Sequence, residues 1–373
     1  MSLLDYNKYA EFFRFIGGVV YSRSLKKTPK KIVRNGKVNF GTFSGVTEHL
    51  DIRGIRAPFA GIPTAKFFSN FRIKSRLFYF FKNENYIGFI EFFDDKVFGL
   101  AEVNFWNIET SQRLSYHSFM GPRRRFIPTN TSEASCNTFG KNRNIKISWS
   151  RRFKKVVMSF TVRGDTFRPA SKGKFISHFT EEYKELLTVN PAPTTQRCSA
   201  TWFLPMEING GIGTAKHRKD IKELPQEKGQ ALLVMNRTYL KMRCQSESMV
   251  GFFEVDNKKV LFSFSSTNQD AIDEDTFNNN MLSLNGDISA MPPVCITHPF
   301  GIEKKWVVQD TEGMVDLCFM PSSIASRTLN IILMRNACTT IYGNFEGVLL
   351  SKDGEQIVLK NCPGIVTKST LRL

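Results

Sequence analysis

The C-terminal end of the chain carries the pattern that most restricts its fold. Two apolar-rich runs, residues 342–350 and 355–360, flank an Asp353-Gly354 pair. Asp-Gly between two such runs predicts a type I′ hairpin, because both central residues of that turn need a positive φ and the turn matches the twist of the paired strands. This end of the chain is therefore predicted to be antiparallel β-sheet.

Several other segments have the composition of strands. Residues 77–81 and 86–93 are aromatic and β-branched and flank a polar turn, which predicts a second hairpin. Residues 145–149 and 157–163 alternate apolar and polar side chains, as half-buried strands do. Asn35-Gly36 and Asn285-Gly286 predict further hairpin turns. The chain is predicted to be mostly β, with sheets closed into barrels or packed as sandwiches, and with a short helix at 181–187 capped by Thr180.

Length and composition indicate two globular domains of different surface chemistry. A chain of 373 residues with 41% hydrophobic side chains is large enough for two cores. Residues 1–190 carry 33 Lys and Arg against 15 Asp and Glu, a net charge of +18, whereas residues 191–373 carry 19 of each. The first part also holds 25 of the 34 phenylalanines. We predict a basic, Phe-rich domain over 1–190 and a charge-neutral domain over 191–373, joined at a proline-containing segment.

Cysteine and histidine usage indicates a cytoplasmic protein without a metal or a cofactor. The seven cysteines are scattered singly, which favours reduced thiols, and the five histidines form no His-Glu-x-x-His pair. The sequence has no run of about 18 apolar residues and no secretory signal pattern, so neither a membrane span nor export is predicted.

Two basic clusters indicate an anionic partner for the first domain. Each is interleaved with phenylalanine, and their cationic residues are Arg123, Arg124, Arg125, Arg151, Arg152, Lys154 and Lys155. Such clusters suit the headgroups of an anionic membrane surface or the phosphates of nucleic acid. The membrane surface is the favoured partner, because no complete RNA-recognition signature accompanies the clusters.

The glycine-rich run at residues 209–216 is similar to a phosphate-binding loop but completes neither the Walker nor the dinucleotide fingerprint. A glycine-rich hairpin is the favoured interpretation. A Gly-x-Ser-x-Gly elbow is also missing, which lowers the prior for an α/β-hydrolase.

A series of short motifs resembles, in the same order, the family catalogued as domain of unknown function 2804. They are an N-F-G-like entry at 36–41, an aromatic strand pair at 74–93, an E-N-A-L-x-x-D-G-like segment at 279–286, an F-x-P-like strand end at 315–321, and an F-G-R-F-x-G-like strand at 342–347 with its D-G turn and a G-F-x-E-like segment at 364–367. The family resembles tandem lipocalin-like proteins. This resemblance implies two calycin-type antiparallel barrels side by side, with a few short helices.

The resemblance also implies a ligand. Eight-stranded barrels leave room for one small, usually apolar, molecule, so the expected partner is a hydrophobic or lipidic ligand. Matching the family's polar positions gives Arg237, Asn280 and Tyr342 as candidate ligand-binding residues.

Catalysis stays open at this stage. Some relatives of this architecture hydrate or cyclise isoprenoids, so a lipid hydratase or cyclase is the alternative to a binding protein. The family's acidic positions are occupied here by Val234, Asn279 and Thr367. General acid–base catalysis needs a titratable group within reach of the substrate, so no catalytic residue is predicted.

Overall fold

The fold is described from a computed structural model. It describes residues 23–56, 58, 66–96, 98–121, 126–140, 142–192, 194–268, 273–331 and 334–372. Within these residues, no helix is long and apolar enough to cross a membrane.

Strands from the first 240 residues form one large, mainly antiparallel sheet. Its strands are β1 (Lys26–Lys27), β4 (Gly41–Ser44), β5 (Ile73–Lys82), β6 (Tyr86–Asp94), β7 (Gly99–Asn107), β8 (Arg113–Met120), β9 (Glu133–Phe139), β10 (Arg143–Ser150), β11 (Lys155–Val162), β12 (Ala170–His178), β13 (Leu186–Pro191), β14 (Cys198–Ala215) and β15 (Glu227–Tyr239). Their main order is β8-β7-β6-β5-β15-β14-β12-β11-β10-β9, and β13 bridges β14 to β4. A small hairpin, β2 (Val33–Arg34) with β3 (Lys37–Val38), a helix α1 (Lys66–Phe71) and a 3₁₀ turn (Arg218–Asp220) complete this part.

This first sheet curls into a nearly closed barrel. Alternate residues of each strand point inward and fill the interior, where Tyr79, Phe81 and Trp202 are fully buried. Across the barrel, the hydroxyl of Tyr116 on β8 donates to the carbonyl of Pro169 (2.7 Å), just before β12. The described interior is packed with aromatic and aliphatic side chains.

The remaining strands form a second sheet that is a half-barrel. They are β16 (Arg243–Val255), β17 (Lys258–Thr267), β18 (Met281–Leu284), β19 (Asp287–Ala290), β20 (Val294–Thr297), β21 (Trp306–Asp310), β22 (Val315–Ile331), β23 (Met334–Leu350) and β24 (Gln356–Arg372). Their order is β19-β18-β17-β16-β24-β23-β22-β21-β20. One half of its inner face covers a core that includes Phe262, Trp306 and Phe345. The predicted fold class, mostly β with two barrel-like units, is confirmed.

The outer faces of the two sheets pack against each other along an apolar seam. The first sheet contributes Phe89 and Trp106 to this seam, and the second contributes Phe252 and Tyr342. The rings of Trp106 and Tyr342 stack with their centroids 6.0 Å apart. The seam therefore joins the two sheets through buried side chains of both.

Most local predictions are confirmed, and three are wrong. The hairpins at Asn35-Gly36, Asn285-Gly286 and Asp353-Gly354 all form. The last is not closed by the predicted type I′ turn, because Leu350 pairs with Gln356 across a longer loop and only Gly354 of the two turn residues has a positive φ. The predicted helix at 181–187 is absent, because its apolar end pairs with β14 and β4 as strand β13. The glycine-rich run is not a hairpin but the second half of β14, where the missing side chains allow close pairing with β12.

The predicted domain boundary at residues 190 and 191 lies within β13, and β14 and β15 still pair in the first sheet. The division of the chain into domains stays a prediction.

The net charge differs between the parts of the chain that form the two sheets. Residues 1–240 carry 40 Lys and Arg against 19 Asp and Glu, a net charge of +21. Residues 241–373 carry 12 against 15, a net charge of −3. The charge asymmetry is therefore larger between the sheets than between the halves of the sequence.

Candidate functional site

Arg237, the first predicted ligand residue, lies inside the first barrel. Its guanidinium donates to Ser75 Oγ (2.9 Å) and to the carbonyls of Ile127 (2.7 Å) and Pro128 (3.0 Å). Burial lowers the pKa of Arg237 to about 10, against the opposing charge of Asp51. The contacts show that Arg237 joins the loop before β9 to the barrel wall.

The other two predicted ligand residues lie elsewhere. Asn280 precedes β18, accepts a hydrogen bond from the Ser265 backbone N–H (2.8 Å) and donates to the Pro292 carbonyl (2.8 Å). Tyr342 lies at the seam, where its hydroxyl donates to the Ile108 carbonyl (3.3 Å). No described contact joins any two of the three residues, and their role in ligand binding stays a prediction.

The predicted basic clusters are only partly within the described residues. Arg123, Arg124 and Arg125 of the first cluster lie outside them. In the second cluster, residues 151–154 form the β10–β11 turn. Arg151 pairs with Glu185 (2.6 Å). Arg152 and Lys154 are exposed on either side of Phe153, while Lys155 begins β11. Contact of these residues with an anionic surface stays a prediction.

A polar cluster at the seam, which the sequence analysis missed, brings two buried carboxyl groups together with cations from both sheets. Glu91 on β6 and Glu102 on β7 are directly opposite each other and are both buried. Carboxylates in this position repel each other. We name the group around them the seam cluster; its members are Arg76, Glu91, Glu102, Arg113, His117 and Arg327.

Glu102 is surrounded by cations from both sheets. The Arg327 guanidinium of β22 lies 2.9 Å from Glu102 Oε2, and His117 Nδ1 on β8 lies 3.5 Å from the same oxygen. Arg113 Nη2 lies 4.0 Å from Oε1, and the Asn104 amide also donates to Oε1. A residue of the second sheet therefore completes a site that is built on the first.

Glu91 has a weaker set of partners. Its nearest cation is Arg76 on β5, whose Nε lies 3.8 Å from Glu91 Oε1. That guanidinium also lies over the Phe93 ring, 4.9 Å from its centroid. Glu91 is thus buried with less compensation than Glu102.

These surroundings shift the pKa values of the two carboxyl groups in opposite directions. Burial raises the pKa of Glu91, and the Arg76 and Arg327 charges only partly offset it. Burial also acts to raise the pKa of Glu102, but His117 and the Arg327 charge outweigh it, so that pKa lies below its usual range. Pairs of titratable groups whose pKa values are separated by their surroundings are typical of an acid and a base in an active site.

The seam cluster also has hydrogen-bonding capacity that protein groups do not use. Arg113 Nε and Arg327 Nη1 are buried and make no hydrogen bond within the described part of the chain. The His117 side chain is 30% exposed, and Phe119, two residues further along the same face, is 58% exposed. The cluster therefore reaches the surface beside an apolar side chain.

Part of this cluster has a signal in the sequence. Glu91, Glu102 and Asn104 are polar residues within strands that are otherwise aromatic or aliphatic, and all three point to the same outer face. Arg327, from a strand more than two hundred residues away, has no such signal. Within the described part of the chain, no group of His, Cys, Asp and Glu side chains is arranged to hold a metal ion.

The comparisons with known proteins concern the whole chain. The family described as Domain of unknown function (DUF2804) matches residues 23–373. No curated protein matches the chain. Among solved structures, the chain is similar to kievitone hydratase from Nectria haematococca, with 9% identity, a TM-score of 0.45, and coverage of 80% of this chain and 88% of that chain. A weaker likeness is to the β-propeller domain of the Trilobed protease from Pyrococcus furiosus, with 10% identity, a TM-score of 0.15, and coverage of 76% and 96%. Neither structural likeness is close enough to carry an argument about this chain.

Proposed function

The chain belongs to the family described as a domain of unknown function, DUF2804, and we propose that it is an acid–base enzyme acting on a small, largely apolar molecule that carries oxygen. One observation carries this proposal. The opposed Glu91 and Glu102 are buried together at the seam, and their pKa values are shifted in opposite directions. Such a pair can supply both a proton donor and a proton acceptor.

The proposed roles follow from the protonation states. Glu91, with its raised pKa, donates a proton to the substrate, and Glu102, with its lowered pKa, accepts one from water or from the substrate. For hydration of a carbon–carbon double bond, the water oxygen bonds to one carbon, Glu102 takes the proton of that water, and Glu91 protonates the other carbon. Return of a proton from Glu102 to Glu91 through solvent or His117 resets the site, and the net change is the addition of one water. Elimination of water is the reverse.

The chemistry around the carboxyl groups defines the substrate class. The unused donors of Arg113 and Arg327 suit a hydroxyl, carbonyl or carboxylate oxygen of the substrate. The exposed ring of Phe119 suits an apolar body. The hydrophobic ligand predicted from the sequence is retained, but the proposal places it at the seam, since side chains pack the described interior of the first barrel.

Isotope incorporation tests the proposal without a known reaction partner. The purified protein would be incubated in D₂O with a panel of phenols, terpenoid alkenes and terpenoid alcohols, and each compound would be analysed by mass spectrometry. After the hydroxyl hydrogens have been exchanged back in H₂O, proton transfer to or from carbon predicts a retained mass increase of one unit per carbon-bound deuterium in at least one compound. Binding of such compounds without exchange would favour a binding protein over an enzyme.

The activity is expected to have a bell-shaped dependence on pH. The rate requires ionised Glu102 and protonated Glu91, so it falls below the lowered pKa of Glu102 and above the raised pKa of Glu91. The flat region between these limits is expected to extend on both sides of the usual range for a glutamate. Because the carboxyl groups interact, the two apparent values belong to the pair. A rate that rises monotonically with pH would contradict the assignment.

A second proposal concerns the basic first sheet and an anionic lipid surface. Phe153 is 67% exposed between the cationic side chains of Arg152 and Lys154, in the sheet with a net charge of +21. This combination supports shallow insertion of the ring among anionic headgroups.

Cosedimentation with phosphatidylserine vesicles is expected to decrease steeply as salt is raised, because exposed charges are screened. Phe153→Ser should weaken it, whereas Arg163→Gln, at the other end of β11, should not. Binding that salt leaves unchanged would exclude the electrostatic part of this proposal, and release of nucleic acid from the purified protein at high salt would favour the alternative partner.

A further inference from the structure

Three arginines form a row across adjacent strands at one end of the half-barrel. In the register of the second sheet, Arg372 on β24 lies opposite Arg243 on β16 and opposite Arg335 on β23. Their neighbours Cys244 and Leu371 are buried in the cluster that faces the first barrel. Because side chains alternate along a strand, the arginines point to the inner, concave face.

The row lacks compensating charge. All three arginines are exposed, and among the described residues none of them pairs with a carboxylate. Like charges directly opposite each other on neighbouring strands destabilise a sheet. They also lie in the part of the chain whose net charge is −3, so a general excess of basic residues does not account for them.

The inner face beside the row is open and rich in hydroxyl groups. Ser326, Thr328 and Thr370 are exposed on it, and Ser326 Oγ lies 2.8 Å from Thr339 Oγ1. Ile324, a large apolar side chain, is also exposed there. We name this open half of the concave face the trough.

The inner end of the trough holds a second group of charges. Lys368 lies four residues before Arg372 on β24, a distance of about 13 Å along the strand. Its Nζ lies 2.7 Å from Glu247 Oε1 and 2.8 Å from His298 Nε2, and that histidine nitrogen lies 3.0 Å from the same glutamate oxygen. Lys368 is therefore already paired, whereas the arginine row is not.

We infer that the trough is a binding site for a small phosphate-bearing ligand. The phosphoryl oxygens would accept hydrogen bonds from the arginine row, since the planar guanidinium matches phosphate in two-point contacts. A polar body attached to the phosphate would lie along the hydroxyl groups of Ser326, Thr339 and Thr370. This site is on the opposite face of the second sheet from the seam cluster and does not depend on the acid–base proposal.

Calorimetric titration of the full chain with inorganic diphosphate tests the inference. Binding is expected for the unchanged protein, and Arg335→Gln and Arg372→Gln are each expected to weaken it by about tenfold, since each removes a charge-assisted hydrogen bond. Arg163→Gln, which removes an exposed arginine of the first sheet, is the matched control and should bind normally. Equal affinity in all four proteins, or no binding to the unchanged protein, would overturn the inference.

Two further measurements identify the source of the ligand and test whether the arginine row has a role in folding. Vesicles containing phosphatidic acid distinguish a lipid headgroup from a soluble phosphate. If the vesicles compete with diphosphate for the arginine row, the ligand is a lipid. If the protein binds diphosphate but not the vesicles, the ligand is a soluble phosphate. Arg372→Gln should also melt at a slightly higher temperature at low ionic strength, and the gain should disappear at high salt, because it relieves repulsion within the row. A lower melting temperature would show that the row is a structural element and would contradict the inference.

Discussion

Replacing Glu102 by glutamine is expected to reduce the proposed proton-transfer rate by a factor of about 10² to 10⁴, the usual contribution of a general acid or base. Glutamine has nearly the same shape and can still accept hydrogen bonds from Arg327 and His117, but it cannot take a proton. The measurement is the initial rate of deuterium incorporation into the compound identified by the D₂O panel. Glu133→Gln, at an exposed position of β9, is the matched control and should retain the full rate.

A second substitution keeps this test independent of folding. Burial raises the pKa of Glu91 and so disfavours its charged form, and glutamine replaces it by a neutral group of nearly the same shape, so Glu91→Gln should fold normally. It should nevertheless lose activity, because an amide is not a proton donor of comparable strength. If both glutamine variants turned over substrate at the native rate, the acid–base assignment would be wrong.

Replacing Arg327 by methionine is expected to lower the free energy of unfolding by about 3 kcal/mol. Removing one partner of a buried ion pair typically costs 3–5 kcal/mol, because the other charge stays buried without compensation. The lower end applies here, since the Arg327 side chain is 21% exposed and Arg113 and His117 remain within 4.0 Å of Glu102. Urea denaturation followed by tryptophan fluorescence measures this change, because Trp106 lies at the seam.

Two controls identify the cause of that loss. The double variant Arg327→Met with Glu102→Gln should recover most of the stability, because it removes the uncompensated charge together with its partner. Lys258→Met breaks the exposed pair with Glu355, so its effect should be under about 1 kcal/mol. No recovery in the double variant would show that packing of the Arg327 stem, and not charge, stabilises the seam.

The same ion pair predicts a pH dependence of stability. The pKa of Glu102 is lower in the folded protein than its usual value, so its contribution is complete above that usual value and is lost as pH falls through the lowered one. The difference in stability between the native chain and Arg327→Met should therefore shrink in acid.

Local sequence patterns predicted turns correctly where the backbone conformation of the turn residues themselves decides the structure. Asn35-Gly36 and Asn285-Gly286 form two-residue turns because both residues of each pair take a positive φ. The prediction failed at 181–187, where acidic residues suggested the first turn of a helix. Leu186 and Leu187 instead pair as a strand, since the edges of β14 and β4 supply both hydrogen bonds and apolar cover. Pairing over long sequence separations outweighed local propensity.

The functional residues show the same division. The sequence indicated an anionic partner, because net charge is a property of composition, and the family resemblance implied an apolar ligand. The resemblance pointed to Arg237 as a ligand residue, which stays a prediction; in the described structure its side chain contacts the loop before β9. Glu91 and Glu102 stand out in the sequence only as polar residues within apolar strands, because their pKa shifts depend on burial and on a guanidinium from the other sheet.

Alternation, turn residues and composition were thus sufficient for a mostly β chain with an uneven charge, and the family resemblance added the two barrel-like units. Those features depend on residues that are close to each other in the sequence, and the sequence specifies such neighbours directly. The packing of one sheet on the other decided which polar side chains are buried and which carboxyl group has its pKa raised. Burial and charge separation act through space, over distances of a few ångströms between residues such as Glu102 and Arg327, and only the tertiary structure brings such residues together.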